Sequence, residues 1–74
     1  MLYTMQEAAE ILKTNVDYVH ELRRAGLIRC IKLGRWKVRK TELERFIIEH
    51  EGKDVTDPHH IKDTEGEEVY FETL

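Results

Sequence analysis

The sequence predicts a mainly α-helical fold class with one small β-hairpin, followed by an acidic tail. Three observations lead to this prediction. Two apolar stripes with helical spacing lie close together near the N-terminus, two alternating runs flank a Gly-Arg pair, and a capped helical segment follows them. The chain has 74 residues, which is room for one domain with a small core.

The first helix is predicted over residues 5–13, after a short extended lead-in at residues 2–3. Thr4 and Glu7 have the spacing of a capping box, in which each side chain binds the other residue's backbone N–H. Apolar residues three and four positions apart then form one face of this helix: Met5, Ala8, Ala9 and Leu12.

A second helix is predicted over residues 16–25, with Asn15 as its N-cap. Val19 and Leu22 form its apolar stripe. Gly26 stands where a glycine commonly ends a helix, and two arginines in the last turn suit the helix dipole.

Two alternating runs follow, Ile31–Leu33 and Trp36–Arg39, on either side of Gly34. Alternation of apolar and polar residues around a glycine predicts a β-hairpin. Cys30 is interpreted as a small strand residue, and Trp36 as a core residue with its N–H at the surface.

The third helix is predicted to start at a second capping box, Thr41 to Glu44, and to reach about His50. Its inward residues are Leu43, Phe46 and Ile47.

Helix, tight turn, helix, β-hairpin, helix is the order of a winged helix-turn-helix. In such a fold the second helix is presented outward and its N-terminal part enters the DNA major groove. The candidate DNA-binding residues of this helix are Asn15, Val16, Asp17, Tyr18, His20, Glu21, Arg23 and Arg24. Those of the hairpin, or wing, are Lys32, Arg35, Lys37, Arg39 and Lys40.

The charge distribution supports double-stranded DNA as the partner, although the formal net charge is −3. Residues 1–50 hold ten Lys/Arg and seven Asp/Glu, whereas residues 51–74 hold two Lys and eight Asp/Glu. The segment from Arg23 to Lys40 contains eight basic residues and no acidic one. A basic segment of this density is typical of phosphate contact.

The chain is therefore divided into a winged helix-turn-helix at residues 1–51 and an acidic tail at residues 52–74. Residues 52–68 are polar and contain Pro58, which predicts a linker or disorder. Residues 68–74 are apolar enough to pair as a strand. One hypothesis is that the tail competes with DNA for the basic face or binds a protein partner, so that its deletion tightens DNA binding or abolishes partner binding.

The residue inventory argues against several other classes of protein. Serine is absent, Cys30 is the only cysteine, and no Gly-rich phosphate loop occurs, so we do not expect an enzyme. We also expect no metal site, cofactor, small-molecule ligand or disulfide, since the four His residues lack ligand spacing. The longest apolar run has three residues, and no signal peptide is apparent, so the expected location is the cytoplasm of a bacterial host, on its nucleoid.

Three motifs in this order resemble the excisionase-family DNA-binding domain, which is related to the MerR-type winged helix domains. They are Thr4-x-x-Glu7-Ala8-Ala9-x-x-Leu12, Arg24-x-Gly26-x-Ile28 and Leu33-Gly34-Arg35-Trp36-x-Val38, and the resemblance spans about residues 2–50. Family members often have a glycine in the turn where this chain has Lys13. Their recognition helix is often richer in Ser, Thr and Arg.

The resemblance implies an excisionase, or recombination directionality factor, of a phage or mobile element. Such a protein binds and bends DNA to help a tyrosine recombinase, the integrase, excise the element. A small transcriptional regulator using the same surface is the second hypothesis, and a protein-interaction module or inhibitor working through the tail is the third. Because a single small module buries little area on DNA, we also expect cooperative self-association or multiple sites.

Overall fold

The computed structural model describes residues 1–64 and confirms the predicted fold class of helices with a small β-hairpin. Three α-helices and short antiparallel strands follow one another along this part of the chain. Their bounds are β1 Leu2–Thr4, α1 Met5–Ile11, α2 Val16–Arg24, β2 Ile31–Leu33, β3 Arg35–Arg39, α3 Lys40–Glu49, β4 Lys53–Asp54 and β5 Lys62–Asp63.

The wing, residues 31–39, belongs to a three-stranded sheet with the order β1-β3-β2. The predicted hairpin is confirmed, and Gly34 makes its turn with a φ of 74°. The extended lead-in is in fact the strand β1, in which Tyr3 lies opposite Val38. The sequence did not predict this pairing, because a strand of three residues has too little alternation to be recognised.

The start of α1 is the predicted capping box. The Thr4 N–H donates to Glu7 Oε1 over 2.8 Å, and the Glu7 N–H donates to Thr4 Oγ1 over 3.0 Å. The helix ends at Ile11, two residues earlier than predicted. Lys13 then has a φ of 56°, which is the left-handed conformation that glycine adopts without steric cost.

Replacing Lys13 with glycine is expected to stabilise the fold by about 0.5–1 kcal/mol. The left-handed conformation costs an L-residue about 1–2 kcal/mol, and part of this gain is offset by the larger unfolded-state entropy of glycine. Urea unfolding of the wild type and Lys13→Gly measures the difference. Lys13→Ala is the matched control, since alanine keeps the strain, and equal stability of the two variants would contradict the argument.

The ends of α2 are set by local contacts that the sequence predicted. Asn15 Oδ1 accepts from the Tyr18 N–H over 2.8 Å, which caps the N-terminus. Gly26 has a φ of 79° and its N–H donates to the Arg23 carbonyl, while the Leu27 N–H donates to the Leu22 carbonyl. This is the Schellman arrangement of a helix C-terminus, and it turns the chain toward β2.

The hydrophobic core lies between the three helices and the inner face of the sheet. Its buried residues are Met5, Ala8, Ala9, Val19, Leu22, Ile28, Val38, Leu43 and Phe46. Ala8 and Ala9 are small enough to let α2 pack closely on α1. The predicted inward faces of α1 and α2 are thereby confirmed, but Ile47 of α3 is 39% exposed rather than inward.

The second predicted capping box was wrong. Helix α3 begins at Lys40, with Arg39 as its N-cap and no side-chain cap. Strand β3 leads directly into the helix, and the Lys40 N–H donates to the carbonyl of Met1, the residue just before β1. Continuity of the sheet therefore sets the start of α3 one residue before Thr41.

Glu42 ties the segment before β2 to α3. Its carboxylate accepts from the Arg29 N–H over 2.8 Å and from the Arg45 guanidinium, whose Nη2 also donates to the Leu27 carbonyl. These bonds, the one from Arg45 above all, hold the pKa of Glu42 below its usual value. The carboxylate thus stays ionised and secures the chain that enters the wing.

The prediction of a linker or disorder over residues 52–68 does not hold for the part that the structure describes. Strands β4 and β5 pair antiparallel, Lys53 opposite Asp63, and form a second hairpin at residues 53–63. Val55 packs against the core and Pro58 is buried. These two apolar residues give the polar segment enough contact to fold back on the domain. The strand predicted at residues 68–74 lies outside the described residues.

None of the helices over residues 1–64 has the length and apolar character needed to cross a bilayer.

Candidate nucleic-acid interface

Helix α2 presents four distinct sides, because each residue advances about 100° around the helix axis. Val19 and Leu22 face the core. Val16, His20 and Arg23 are grouped on the side toward the wing. Tyr18 and Glu21 lie on roughly the opposite side, and the exposed residues Asp17 and Arg24 lie between the two, facing away from the core.

Arg23 connects α2 to the wing. Its guanidinium carbon lies 4.1 Å from the centre of the Trp36 ring, and Lys32 Nζ lies 5.6 Å from the same ring. Such cation–π contacts stabilise a protein by about 0.5–1 kcal/mol at exposed sites. Trp36 is half-buried and serves as a platform for two cations, so it fixes the wing relative to α2.

His20 lies beside this platform. Arg23 Nε donates to His20 Nδ1 over 3.3 Å, which leaves the ring proton on Nε2. Partial burial, with the neighbouring Arg23 and Arg24, lowers the pKa of His20. At neutral pH His20 is therefore an uncharged imidazole that can donate one hydrogen bond through Nε2.

A groove of about 470 Å³ separates α2 from the wing. Its walls come from the start of α1, from one side of α2 and from the wing turn. The residues that line it are Thr4, Met5, Gln6, Val16, His20, Lys32, Gly34, Arg35 and Trp36. Lys32 and Arg35 are the two cations among them, so the groove has a positive border on the wing side.

The five candidate wing residues do not share one face. Lys32 lies opposite Trp36 in the register, on the face of the sheet that meets the helices. Lys37 and Arg39 are on the other face, beside Leu2 and Ile31. Successive side chains of a strand point to opposite faces of the sheet, which separates Lys32 from Lys37 and Arg39. Arg35 lies at the wing turn, and of the five residues only Lys32 and Arg35 border the groove. The fifth, Lys40, is exposed at the start of α3.

The side of α2 remote from the wing contacts the second hairpin. The Tyr18 hydroxyl donates to the Val55 carbonyl, a contact across 37 residues of chain. Burial, with Asp54 and Asp57 nearby, raises the pKa of Tyr18, so the hydroxyl keeps its proton. Tyr18, a candidate DNA contact in the sequence, is here engaged by the second hairpin.

Glu21 is also engaged on this side. Its carboxylate lies 2.7 Å from Arg24 Nη1 and 3.4 Å from His59 Nε2. Its pKa is lowered by the bonds from His59 and Arg24. Glu21 is thus an ionised carboxylate engaged by Arg24 and His59, rather than an isolated acid.

The remaining candidate, Asn15, uses its side-chain oxygen as the cap of α2, so its amide nitrogen is the part left to contact a ligand. The sequence analysis assigned no contact to His59, which lies against Glu21. Val55 and Pro58, apolar residues within an acidic stretch, were the available signal that this segment packs on the domain.

No group of three or more His, Cys, Asp or Glu side chains over residues 1–64 is arranged to hold a metal ion. Cys30 is half-buried, and burial raises the pKa of its thiol.

Comparison with known proteins gives a single finding on family. The family model described as a helix-turn-helix domain matches residues 2–51, which is the region from β1 to the end of α3. No curated protein and no solved structure matches the chain. The match covers more than half of the chain and coincides with the observed helix-turn-helix and wing. The chain belongs to the helix-turn-helix domain family.

Proposed function

We propose that this protein binds double-stranded DNA, with α2 in the major groove and the wing on the adjacent backbone. The observation that carries the proposal is the groove between α2 and the wing, bordered by Lys32 and Arg35. A helix with its side chains is about 10–12 Å wide, and the major groove of DNA is about 12 Å wide. Helix α2 therefore fills the major groove, and the wing reaches the DNA backbone at the edge of the major groove.

The outward side of α2 supplies the readout of bases. Asp17 accepts hydrogen bonds, as cytosine recognition requires, and Arg24 donates them, as guanine recognition requires. His20 Nε2 adds one donor beside the wing. Phosphate contacts from Lys32, Arg35 and the N-terminal turn of α2 set the register.

Binding is expected to depend steeply on salt. Four to six phosphate contacts give a slope of log K against log salt of roughly −4 to −5, because each contact releases condensed counterions. Fluorescence anisotropy with a labelled duplex between 50 and 300 mM salt measures the slope. A flat response, or no binding at 50 mM salt, would contradict the proposal.

We further propose that the protein acts as an excisionase, binding and bending DNA so that an integrase can excise a mobile element. The resemblance carried by the residues from Thr4 to Leu12 and from Leu33 to Val38 supports this role. The test is an excision reaction with a cognate tyrosine integrase and its attachment-site DNA. Stimulation of excision supports the role, whereas repression of a reporter without stimulation favours a transcriptional regulator.

A further inference from the structure

Helix α2 is held between two hairpins, the wing on one side and the second hairpin on the other. Val16, His20 and Arg23 face the wing, while Tyr18 and Glu21 face the second hairpin. The helix period places these two sets on roughly opposite sides of the axis, with Asp17 and Arg24 between them. Nothing in the helix-turn-helix match, which ends at residue 51, includes the second hairpin.

We propose that the second hairpin is a second DNA-contacting wing. The inference rests on the proposed function and extends the interface beyond the helix-turn-helix domain. A helix that fills the major groove has a sugar–phosphate backbone on each side. An element that flanks the helix on either side therefore lies over one of the two backbones.

The tip of the second hairpin is built to hold a defined shape. Asp54 accepts from the Thr56 N–H over 3.0 Å, and Asp57 accepts from the His59 N–H over 3.1 Å. Pro58 is buried beneath the tip. A tip ordered in this way loses little conformational freedom when it meets a ligand.

Two histidines lie at the tip of the second hairpin. His59 lies against Glu21, and His60 Nδ1 lies 3.0 Å from Asp57 Oδ2. His60 is the more accessible of the two, with its side chain 76% exposed, and Lys62 follows in β5.

The acidic character of the tail belongs mainly to the residues that follow the second hairpin. Residues 52–64 contain two Lys, two His and three Asp, whereas residues 65–74 contain four Glu and no basic residue. Asp63, like Asp54 and Asp57, has a partner, since Lys53 Nζ lies 2.8 Å from it. The second hairpin is thus near neutral and does not repel phosphate as the whole tail would.

Charge changes at the tip test the proposal, because the side chain at position 60 is exposed. In the full chain, His60→Arg is expected to tighten binding to a labelled duplex about three- to tenfold at 50 mM salt and to steepen the salt slope by about one. His60→Glu is expected to weaken binding by a similar factor. Thermal unfolding of each variant verifies that the fold is kept.

The matched controls are Glu44→Arg and Glu44→Gln, at an exposed position of α3. Each is expected to change the affinity for the duplex by less than twofold. If the wild type binds DNA and both His60 variants bind it with an affinity within twofold of the wild type, the proposal of a second wing is overturned. The proposed function stands in that case. Tighter binding by His60→Glu would also overturn the second wing. A wild type that fails to bind at 50 mM salt would remove both proposals.

Discussion

Replacing Lys32 and Arg35 together with glutamine is expected to weaken binding to duplex DNA about ten- to a hundredfold at low salt. These are the two cations that border the groove between α2 and the wing. An exposed charge-assisted contact with phosphate is worth about 1 kcal/mol, so the two together are worth about 2 kcal/mol, and 1.4 kcal/mol is a tenfold change in affinity. The salt slope should become shallower by about two, since two counterions fewer are released.

Arg29→Gln is the control for this variant. It removes the same type of charge from the same basic segment, but Arg29 stands beside Glu42 of α3 and away from the groove. Its affinity for DNA should stay within twofold of that of the wild type. If Arg29→Gln weakens binding as much as the double variant, general attraction by the basic segment accounts for the affinity and the groove has no special role.

Replacing Leu22 with alanine is expected to destabilise the fold by about 2–5 kcal/mol, because the side chain is 0% exposed and its removal leaves a cavity. Domains of this size are stable by only about 3–10 kcal/mol. The midpoint of thermal unfolding should therefore fall by roughly 10–30 °C, or the variant should be largely unfolded at 37 °C. Circular dichroism on heating measures the change.

Leu33→Ala is the same substitution at a position that is 55% exposed. It should alter the free energy of unfolding by less than about 0.5 kcal/mol. If both leucines prove equally tolerant of alanine, the core does not lie between α1, α2 and the sheet as described. A large loss at Leu33 with none at Leu22 would contradict the packing in the same way.

The local signals in the sequence were read correctly where one residue type had one physical role. The predicted local features form: the capping box of Thr4 and Glu7, the Asn15 cap, the helix end at Gly26 and the wing turn at Gly34. Each depends on hydrogen bonds or φ angles within a few residues. Thr41 failed as a cap because the sheet had already set the start of α3, and that constraint is not local.

The candidate site shows the same division. The sequence indicated eight candidate positions in α2 and its N-cap, and the basic wing. It did not separate Lys32 and Arg35, which border the groove, from Lys37 and Arg39. For Lys32 the separation depends on the pairing of β2 with β3, and for Arg35 on its position at the wing turn. It also treated residues 52–68 as one linker, although Val55 and Pro58 allow residues 53–63 to pack on α2.

The sequence by itself thus determined the helices, the wing and the helix-turn-helix order, since caps, turns and apolar periods act within a few residues of each other. Only the tertiary structure decided which side of α2 meets the wing, which meets the second hairpin and which is left to face a ligand. The contact of Tyr18 with Val55 spans 37 residues. A contact of that range follows from how the elements pack, and no local pattern encodes it.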